Sequence, residues 1–392
     1  MIQALLSNRQ RPDLPPVPVC FPIADYAGIY ENLQAIGLGS IAVRDCFVKE
    51  IGGDYPILKR LEETEINVDE LDYLAKRLES FDKYERAQFQ GTAVSKDYSN
   101  MTDFINLTFS CQEVTVVQDF TDLTAIGRTH YMNLNGGLTE DEVETMDFHK
   151  IALSLLLNEE GTVTPYGVVY ENDMELELCY DGLYFPDYRY SGDTLLAIAV
   201  IDDSLSDDTT DIAWLYLPME DCQIERALLR AGISEEHMRL AYVDSELPDV
   251  LTDLIGTEES LYEMNRLCIH YQKLDTGYRQ KAEAALQMAS PASIAQASNL
   301  LSQLDLFDFI PGISTPEEYG RYMIIDSGHY EFDENLEEYI DFKEYGKQRI
   351  AGEYGRFTEN GYISYHGFIS IEEVMAGSET ERMDMEMGGM QL

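Results

Sequence analysis

Short apolar runs bounded by turn residues recur along the chain, and this pattern is typical of β-strands. The runs that predict strands are IQALL, VPVCF, IAVRDCFV and VTVVQDF in the first half, and LLAIAVI, IAWLYL, RLAYVDS and LFDFI in the second. Between them, apolar residues at helical spacing predict amphipathic helices. Because strands and helices alternate without long βαβ crossovers, the predicted fold class is α+β.

The helical pattern is clearest in two pairs of segments. In each pair, one segment lies in the first half of the chain and the other in the second half. A helix that carries Ile29 and Leu33 on its apolar face is expected to end at Gly37, and one that carries Ile224 at Gly232. Glycine readily adopts the left-handed conformation that stops a helix. The apolar faces of the second pair are Leu71, Leu74 and Leu78, and Met264, Leu267 and Tyr271.

The two halves resemble each other in sequence, which predicts an internal duplication. A shift of 193 residues aligns Glu70 with Glu263, Asn106 with Asn299, and Gly127-Arg128 with Gly320-Arg321. With a shift of 196 upstream and 194 downstream, Pro22 aligns with Pro218, Asp147-Phe148 with Asp341-Phe342, and Gly167 with Gly361. The sequence therefore predicts an elongated molecule built from two tandem copies of a mixed α/β unit.

The predicted boundary between the copies falls at residue 195. Copy one spans 1–195, copy two spans 196–376, and 377–392 is expected to be a flexible acidic tail because it lacks a periodic apolar pattern. The acidic stretch DDSLSDDTTD, Asp202–Asp211, aligns with a loop near the N-terminus. It is therefore expected to connect two strands of copy two.

Charge narrows the choice of partner. The 392 residues include 73 Asp and Glu against 27 Lys and Arg, a formal net charge of -46, and both halves share the excess. With 45% apolar residues the chain still has material for packed cores. A field of this sign repels nucleic acid, so direct nucleic-acid binding is excluded and the expected partner is a basic protein surface or a cation.

Patterns that carry chemistry are missing from the sequence. The six histidines are scattered, and HExxH, CxxC, GxSxG and P-loop motifs do not occur. The stretch Asp202–Asp211 lacks the central glycine and terminal glutamate of an EF-hand loop. We therefore expect no catalytic residue, metal or cofactor, and six free thiols. Without a long apolar run or a signal-peptide pattern, the chain is expected to be cytoplasmic and away from membranes.

The size of the negative charge suggests mimicry of phosphates. B-DNA carries two charges per base pair, so 46 charges correspond to about 23 base pairs, a rod of roughly 78 Å. Two folded copies placed end to end would approach that length. The interpretation is a folded chain whose surface carboxylates stand in for the phosphates of a DNA duplex.

The segment NLEEYIDFKEYGKQRIAGEYGRFTENGYISY, Asn335–Tyr365, is similar to the C-terminal signature of the ArdA antirestriction proteins. STPEEYGRYMI and ELDYLAKRLESFDKYERAQFQ also resemble this family, whereas its usual opening is replaced by MIQALLSNRQRPDLP. The resemblance implies elongated α/β proteins of mobile genetic elements. It further implies inhibition of type I restriction-modification enzymes by occupation of their DNA groove, without a catalytic residue.

Three groups of acids are expected to bind the partner. The group inside the resembling stretch is Glu317, Glu318, Glu334, Glu337, Glu338, Asp341 and Glu344. The other groups are Asp202, Asp203, Asp207, Asp208 and Asp211, and Asp141, Glu142 and Glu144. A helix over NLEEYIDFKEY is expected to turn Leu336, Tyr339 and Ile340 inward and its acids outward.

Two other functions are consistent with the acidity. One is an acidic binding protein for another basic DNA-processing or nucleoid protein. The other is a soluble enzyme from a high-salt habitat, which would need a concave pocket with convergent, perturbed groups. The sequence leaves open which restriction enzyme is bound, whether cutting or methylation is blocked, whether the N-terminal copy takes part, and whether the chain forms a homodimer.

Overall fold

The structure is a computed structural model that describes residues 1–206, 208–256 and 260–377. Helices and small antiparallel sheets make up these residues, which confirms the predicted α+β class. The chain divides into two compact units. The first unit is Met1–Tyr190, Ile201–Trp214 and Cys222–Met238, and the second is Ser191–Val200, Leu215–Asp221 and Arg239–Leu392.

The first unit contains two antiparallel sheets, ordered β2-β1-β3-β4 and β5-β7-β6. Their strands are β1 (Ile2–Ser7), β2 (Val17–Phe21), β3 (Cys46–Gly53), β4 (Glu65–Ile66), β5 (Thr115–Val117), β6 (Thr162–Thr164) and β7 (Gly167–Tyr170). The helices are α1 (Tyr26–Ala35), α2 (Val68–Glu79), α3 (Lys83–Ser95), α4 (Met101–Ser110), α5 (Leu123–Asn135), α6 (Glu140–Thr145) and α7 (Phe148–Asn158).

Local signals explain where these elements start and stop. The Asp25 side chain accepts the Gly28 N–H and caps α1, and Gly37, just past the helix, has φ +72° as predicted. The strand predicted over IAVRDCFV is wrong in its first five residues, because β3 begins only at Cys46. Arg44 lies in the turn before it and reaches across to the carboxylate of Glu70.

A third sheet is ordered β10-β8-β9. Its strands and the helix between them are β8 (Leu196–Asp202), β9 (Ala213–Leu217), α8 (Asp221–Ala231) and β10 (Met238–Ser245). The loop between β8 and β9 holds most of DDSLSDDTTD, which confirms the predicted strand connection. After α8, Gly232 has φ +69°, as expected for a helix stop.

The remaining elements lie in the second unit. The helices are α9 (Asp249–Thr252), α10 (Leu261–Gln272), α11 (Thr276–Ala289), α12 (Ile294–Leu301), α13 (Pro316–Arg321), α14 (Phe342–Gly352) and α15 (Ile371–Ala376). The strands β11 (Phe307–Pro311), β12 (Tyr354–Thr358) and β13 (Gly361–Tyr365) form an antiparallel sheet ordered β11-β13-β12. In this sheet Tyr362 pairs with Ile310 on one side and Phe357 on the other.

The sheets β5-β7-β6 and β11-β13-β12 have the same strand order, and a packed helix pair, α5 with α7 or α13 with α14, lies between the first strand and the last two in each case. The duplication and the boundary at residue 195 nevertheless stay predictions, as does the tail, of which 378–392 lie outside the described residues.

Candidate functional site

Seven of the fifteen candidate acids lie on the helical segment between β11 and β12. The Thr315 side chain accepts the Glu318 N–H and begins α13, while the Glu318 carboxylate accepts the N–H groups of Ser314 and Thr315. These bonds, with the Ser314 N–H first, lower the pKa of Glu318 below its ordinary value. Glu318 is therefore held ionised at the start of the helix.

Two glycines let α13 and α14 touch backbone to backbone. A Cβ at Gly320 would lie 2.0 Å from the Phe342 carbonyl oxygen, and one at Gly346 would lie 1.8 Å from that of Pro316. No side chain fits at either position. The acids on both helices are consequently carried by one closely packed pair.

The continuous helix predicted over NLEEYIDFKEY is wrong. Glu334–Tyr339 is a 3₁₀-helix, Ile340 is extended, and Asp341 caps α14 by accepting a first-turn N–H at 2.9 Å. A residue can cap a helix only from outside it, so this bond breaks the expected helix in two. Leu336 and Tyr339, predicted to face inward, are 52% and 82% exposed.

Most candidate acids in this segment are exposed and unpaired. Among the described residues, those without an ion pair are Glu317, Glu318, Glu334, Glu338, Asp341 and Glu344. Glu337 differs, because Arg321 of α13 forms an ion pair with it and so ties the 3₁₀-helix to α13. From Tyr322 to Phe342 the sequence has seven acids and no Lys or Arg, so this stretch itself supplies no basic side chain to neutralise them.

Two candidate acids at the end of β8 and in the loop after it contact nearby residues of the chain. The Asp202 carboxylate accepts the Ser204 hydroxyl and its N–H, and these bonds lower the pKa of Asp202. A carboxylate oxygen of Asp203 lies 3.7 Å from Nδ1 of His237. The remaining candidates are Asp208 and Asp211, which are exposed, and Asp207, which lies outside the described residues.

Of the three candidate acids on α6, one is hydrogen-bonded within the chain and two are exposed without an ion pair. Thr139 and Glu142 form a capping box, and the Glu142 carboxylate also accepts the Tyr131 hydroxyl at 2.6 Å. The Tyr131 bond, followed by those from Thr139, lowers the pKa of Glu142. Asp141 and Glu144 are exposed and have no ion pair among the described residues. Of the three candidate acids on this helix, these two remain available to a partner.

Other acids are buried, which sequence reasoning did not foresee. Glu70 is 1% exposed and accepts Nε and Nη2 of Arg44 at 2.9 and 2.7 Å, together with the Tyr180 hydroxyl at 2.9 Å. Arg230 of α8 donates to the same hydroxyl at 2.7 Å. Nothing in the linear sequence marks these acids as internal, since their partners lie far along the chain.

Sequence reasoning also missed a cavity of about 590 Å³ beside the sheet β11-β13-β12 and the helices α13 and α14. Its walls include Tyr319, Tyr362, Arg349 and Glu353. The alignment of the two halves offered a signal, because the positions aligned with Ile126 and Leu155 hold a tyrosine and an arginine in the second half.

The described residues contain no group of three or more His, Cys, Asp and Glu side chains placed to hold a metal ion. None of the helices seen there is long and apolar enough to cross a bilayer. The six cysteines all lie in the described part of the chain, and they form no disulfide there.

A folded surface of unpaired carboxylates is electrostatically complementary to basic partners. The family described as antirestriction protein (ArdA) matches residues 211–364, which run from the end of the acidic loop to β13. The resemblance first seen in Asn335–Tyr365 is thereby confirmed, and the C-terminal part of the chain carries the ArdA pattern. No curated protein matches the chain in sequence.

Proposed function

We propose that this chain is a DNA-mimic antirestriction protein that occupies the DNA-binding groove of a type I restriction-modification enzyme. The observation that supports this most directly is the surface of exposed, unpaired acids on α13, the 3₁₀-helix and α14, inside the segment that matches ArdA. The proposal places the protein in the cytoplasm, where such enzymes act, with no cofactor and no direct contact to nucleic acid.

Electrostatics explains how this surface would compete with DNA. A DNA-binding groove presents Lys and Arg positioned for phosphates, and the exposed acids offer those side chains an equivalent set of negative charges. Each exposed charge pair contributes about 0.5 kcal/mol on average, while opposite potentials accelerate the encounter. Affinity should therefore arise from many acids together and fall with added salt.

A charge-matched pair of variants tests whether these particular acids matter. The first variant changes four exposed acids of the matched segment to glutamine: Glu317→Gln, Glu334→Gln, Glu338→Gln and Glu344→Gln. The control makes the same change outside the matched segment: Glu31→Gln, Glu50→Gln, Glu65→Gln and Glu113→Gln. Both variants have the same net charge, so a difference between them reports the location of the acids.

The assay is competition with a labelled duplex for a purified type I methyltransferase. Four lost contacts at about 0.5 kcal/mol each amount to about 2 kcal/mol, or roughly a 30-fold weaker inhibition for the first variant. The control should change inhibition less than threefold. Equal loss in both variants would contradict a localised site and favour a general acidic binding protein. Tighter binding to a basic nucleoid protein than to the methyltransferase would favour the alternative partner.

We further propose that the chain is a tandem of two related units, copy one in 1–195 and copy two in 196–376. The common strand order of the two small sheets supports this, as does the repeated helix contact at Gly127 with Phe148 and Gly320 with Phe342. A chimera in which 307–365 replaces 115–170 tests the equivalence. It should keep cooperative thermal unfolding, whereas a chimera without a folded transition would argue against related units.

A further inference from the structure

The 3₁₀-helix Glu334–Tyr339 turns its apolar side chains to solvent. Side chains three residues apart eclipse one another in a 3₁₀-helix, so Leu336 and Tyr339 lie one above the other on the same face. They are 52% and 82% exposed, and no residue of this helix is buried. A helix of a folded protein ordinarily turns such residues toward the core. We call this exposed pair the apolar strip.

Polar bonds hold this helix in place, so its conformation does not depend on the apolar strip. The Asp333 side chain accepts the Asn335 N–H and caps the helix. Arg321 of α13 forms an ion pair with Glu337 and ties the helix to the rest of the unit. Because the strip adds little to packing, replacing its two side chains should leave the stability of the fold nearly unchanged.

Acids flank the apolar strip on both sides. The same spacing of three places Glu334 and Glu337 on one neighbouring face of the helix, and Asn335 and Glu338 on the other. Glu334 and Glu338 are exposed and have no ion pair among the described residues. An apolar surface bordered by unpaired carboxylates is complementary to a side chain that has both an aliphatic stem and a positive charge.

The ring of Tyr339 differs from other tyrosine rings of the chain because no cation covers it. The guanidinium carbon of Arg226 lies 4.1 Å from the ring centroid of Tyr30, and that of Arg279 lies 5.2 Å from the ring centroid of Tyr271. Within the described ranges no Lys or Arg lies over the ring of Tyr339, and the sequence around it is acidic. A cation that stacks on this ring therefore has to come from another molecule.

We propose that the apolar strip anchors an arginine of the protein that the acidic surface binds. The guanidinium stacks on the Tyr339 ring, its aliphatic stem covers Leu336, and the carboxylates of Glu334 and Glu338 accept its N–H groups. Arginine fits better than lysine, because a planar guanidinium stacks on an aromatic ring and is less strongly hydrated than an ammonium. That the arginine belongs to a restriction-modification enzyme rests on the function proposed above, whereas the preference for arginine does not.

A fluorine label on the ring reports this contact directly. Tyr339 is replaced by 4-fluorophenylalanine in the full chain, and its ¹⁹F signal is followed while tetra-arginine or tetra-lysine is added at about 150 mM NaCl. The two peptides have the same charge, so a difference between them reports the guanidinium. We expect a saturable shift, with half-saturation at a concentration about threefold lower for tetra-arginine than for tetra-lysine, as suits one exposed cation–π contact.

A second label and a charge variant serve as controls. The same label at Tyr278, which is 45% exposed and already has Lys281 over its ring at 5.6 Å, should respond alike to both peptides. In the chain labelled at position 339, Glu334→Gln with Glu338→Gln removes two charge pairs of about 0.5 kcal/mol each and should weaken tetra-arginine binding about fivefold.

The role of the strip in the complex is measured by the competition assay with the methyltransferase. Leu336→Ser with Tyr339→Ser should weaken inhibition about tenfold, because tyrosines at the centre of an interface are commonly its strongest contacts. Tyr339→Phe, which keeps the ring, should change inhibition less than about twofold. The control pair Leu157→Ser with Tyr278→Ser, two exposed side chains outside the acidic surface, should also change it less than about twofold.

Three outcomes would overturn the proposal: no saturable shift of the label at position 339 with tetra-arginine, equal half-saturation there by the two peptides, or undiminished inhibition by Leu336→Ser with Tyr339→Ser. The peptide titration needs no restriction enzyme. A chain that prefers tetra-arginine at this ring but does not inhibit the methyltransferase would support the arginine anchor and contradict the antirestriction proposal.

Discussion

The buried arginine of α8 gives the sharpest prediction on stability. Arg230 lies in the segment that matches ArdA, yet within the first compact unit, where its side chain is 4% exposed. It donates five hydrogen bonds: to Leu183 O at 3.0 Å, Ile41 O at 2.9 Å, Asn67 Oδ1 at 3.1 Å, Tyr180 Oη at 2.7 Å and Gly182 O at 3.2 Å. The change Arg230→Met keeps much of the side-chain volume but removes every one of these donors.

The expected loss of unfolding free energy follows from the polar groups that Arg230→Met leaves in place. Glu70 and Asp69 keep their charges, with carboxylate oxygens each 3.9 Å from the lost guanidinium, and the acceptors bonded to Arg230 lose a partner. Breaking a buried hydrogen-bonded network of this kind costs about 3–5 kcal/mol, because five buried acceptors lose a donor, although Arg44 and Arg226 still compensate the charges of Glu70 and Asp69. We therefore expect a loss of about 4 kcal/mol, a large share of the roughly 5–15 kcal/mol that a folded protein has.

Urea unfolding followed by tryptophan fluorescence measures this loss. Trp214 is the single tryptophan of the chain and belongs to the first unit, so its signal reports that unit. With a slope of about 2.5 kcal/mol per molar urea, the midpoint should fall by about 1.6 M. The control Arg11→Met removes the same charge from an exposed site and should move the midpoint by less than about 0.2 M. A shift for Arg230→Met no larger than that of the control would refute the reasoning.

Three further predictions concern backbone contact, pH and salt. Gly127→Ala and Gly320→Ala should each destabilise by about 2 kcal/mol or more in thermal unfolding, because the new Cβ meets a carbonyl oxygen, whereas Gly137→Ala, with open space, should be nearly neutral. Burial lowers the pKa of His130 and of His270 below the ordinary histidine value of about 6.5, so the unfolded chain binds protons first and stability should fall as pH drops below about 6.5. The variant with both histidines changed to glutamine should show a flatter profile between pH 5 and 7, and an unchanged profile would contradict this assignment. Raising NaCl from 10 mM to 0.5 M should raise the melting temperature, since screening relieves the repulsion of 46 net charges, and a constant value would oppose it.

Sequence patterns were most informative where a local signal decides the structure. The stops of α1 and α8 followed from Gly37 and Gly232, whose positive φ ends each helix whatever the rest of the fold does. The strand pairs β1-β2 and β8-β9 followed from apolar runs separated by polar loops. These features depend on a few neighbouring residues.

The wrong secondary-structure predictions arose where a long-range contact or a helix cap overrides the periodic pattern of apolar residues. The periodic pattern of NLEEYIDFKEY favours one helix, but the Asp341 cap ends it and exposes Tyr339. The start of IAVRDCFV reads as a strand, but Arg44 is drawn toward Glu70, a partner that the linear sequence does not reveal.

The candidate site was foreseen only in part. Charge and resemblance selected the acidic segment before β12, and the ArdA match covers it. They did not separate Glu317 and Glu338, which are unpaired, from Glu337, which is tied to Arg321, because pairing is decided in three dimensions. The cavity lined by Arg349 was missed because a single arginine in an amphipathic helix normally indicates a solvated face.

The claim that the carboxylates imitate a DNA backbone is tested most directly by the salt dependence of binding to a type I methyltransferase. The account predicts that this protein and duplex DNA exclude each other, and that affinity for the protein falls at least 100-fold between 50 and 200 mM salt, as expected when several basic side chains are neutralised. A complex that holds protein and DNA together, or an affinity that does not change over this range, would contradict it.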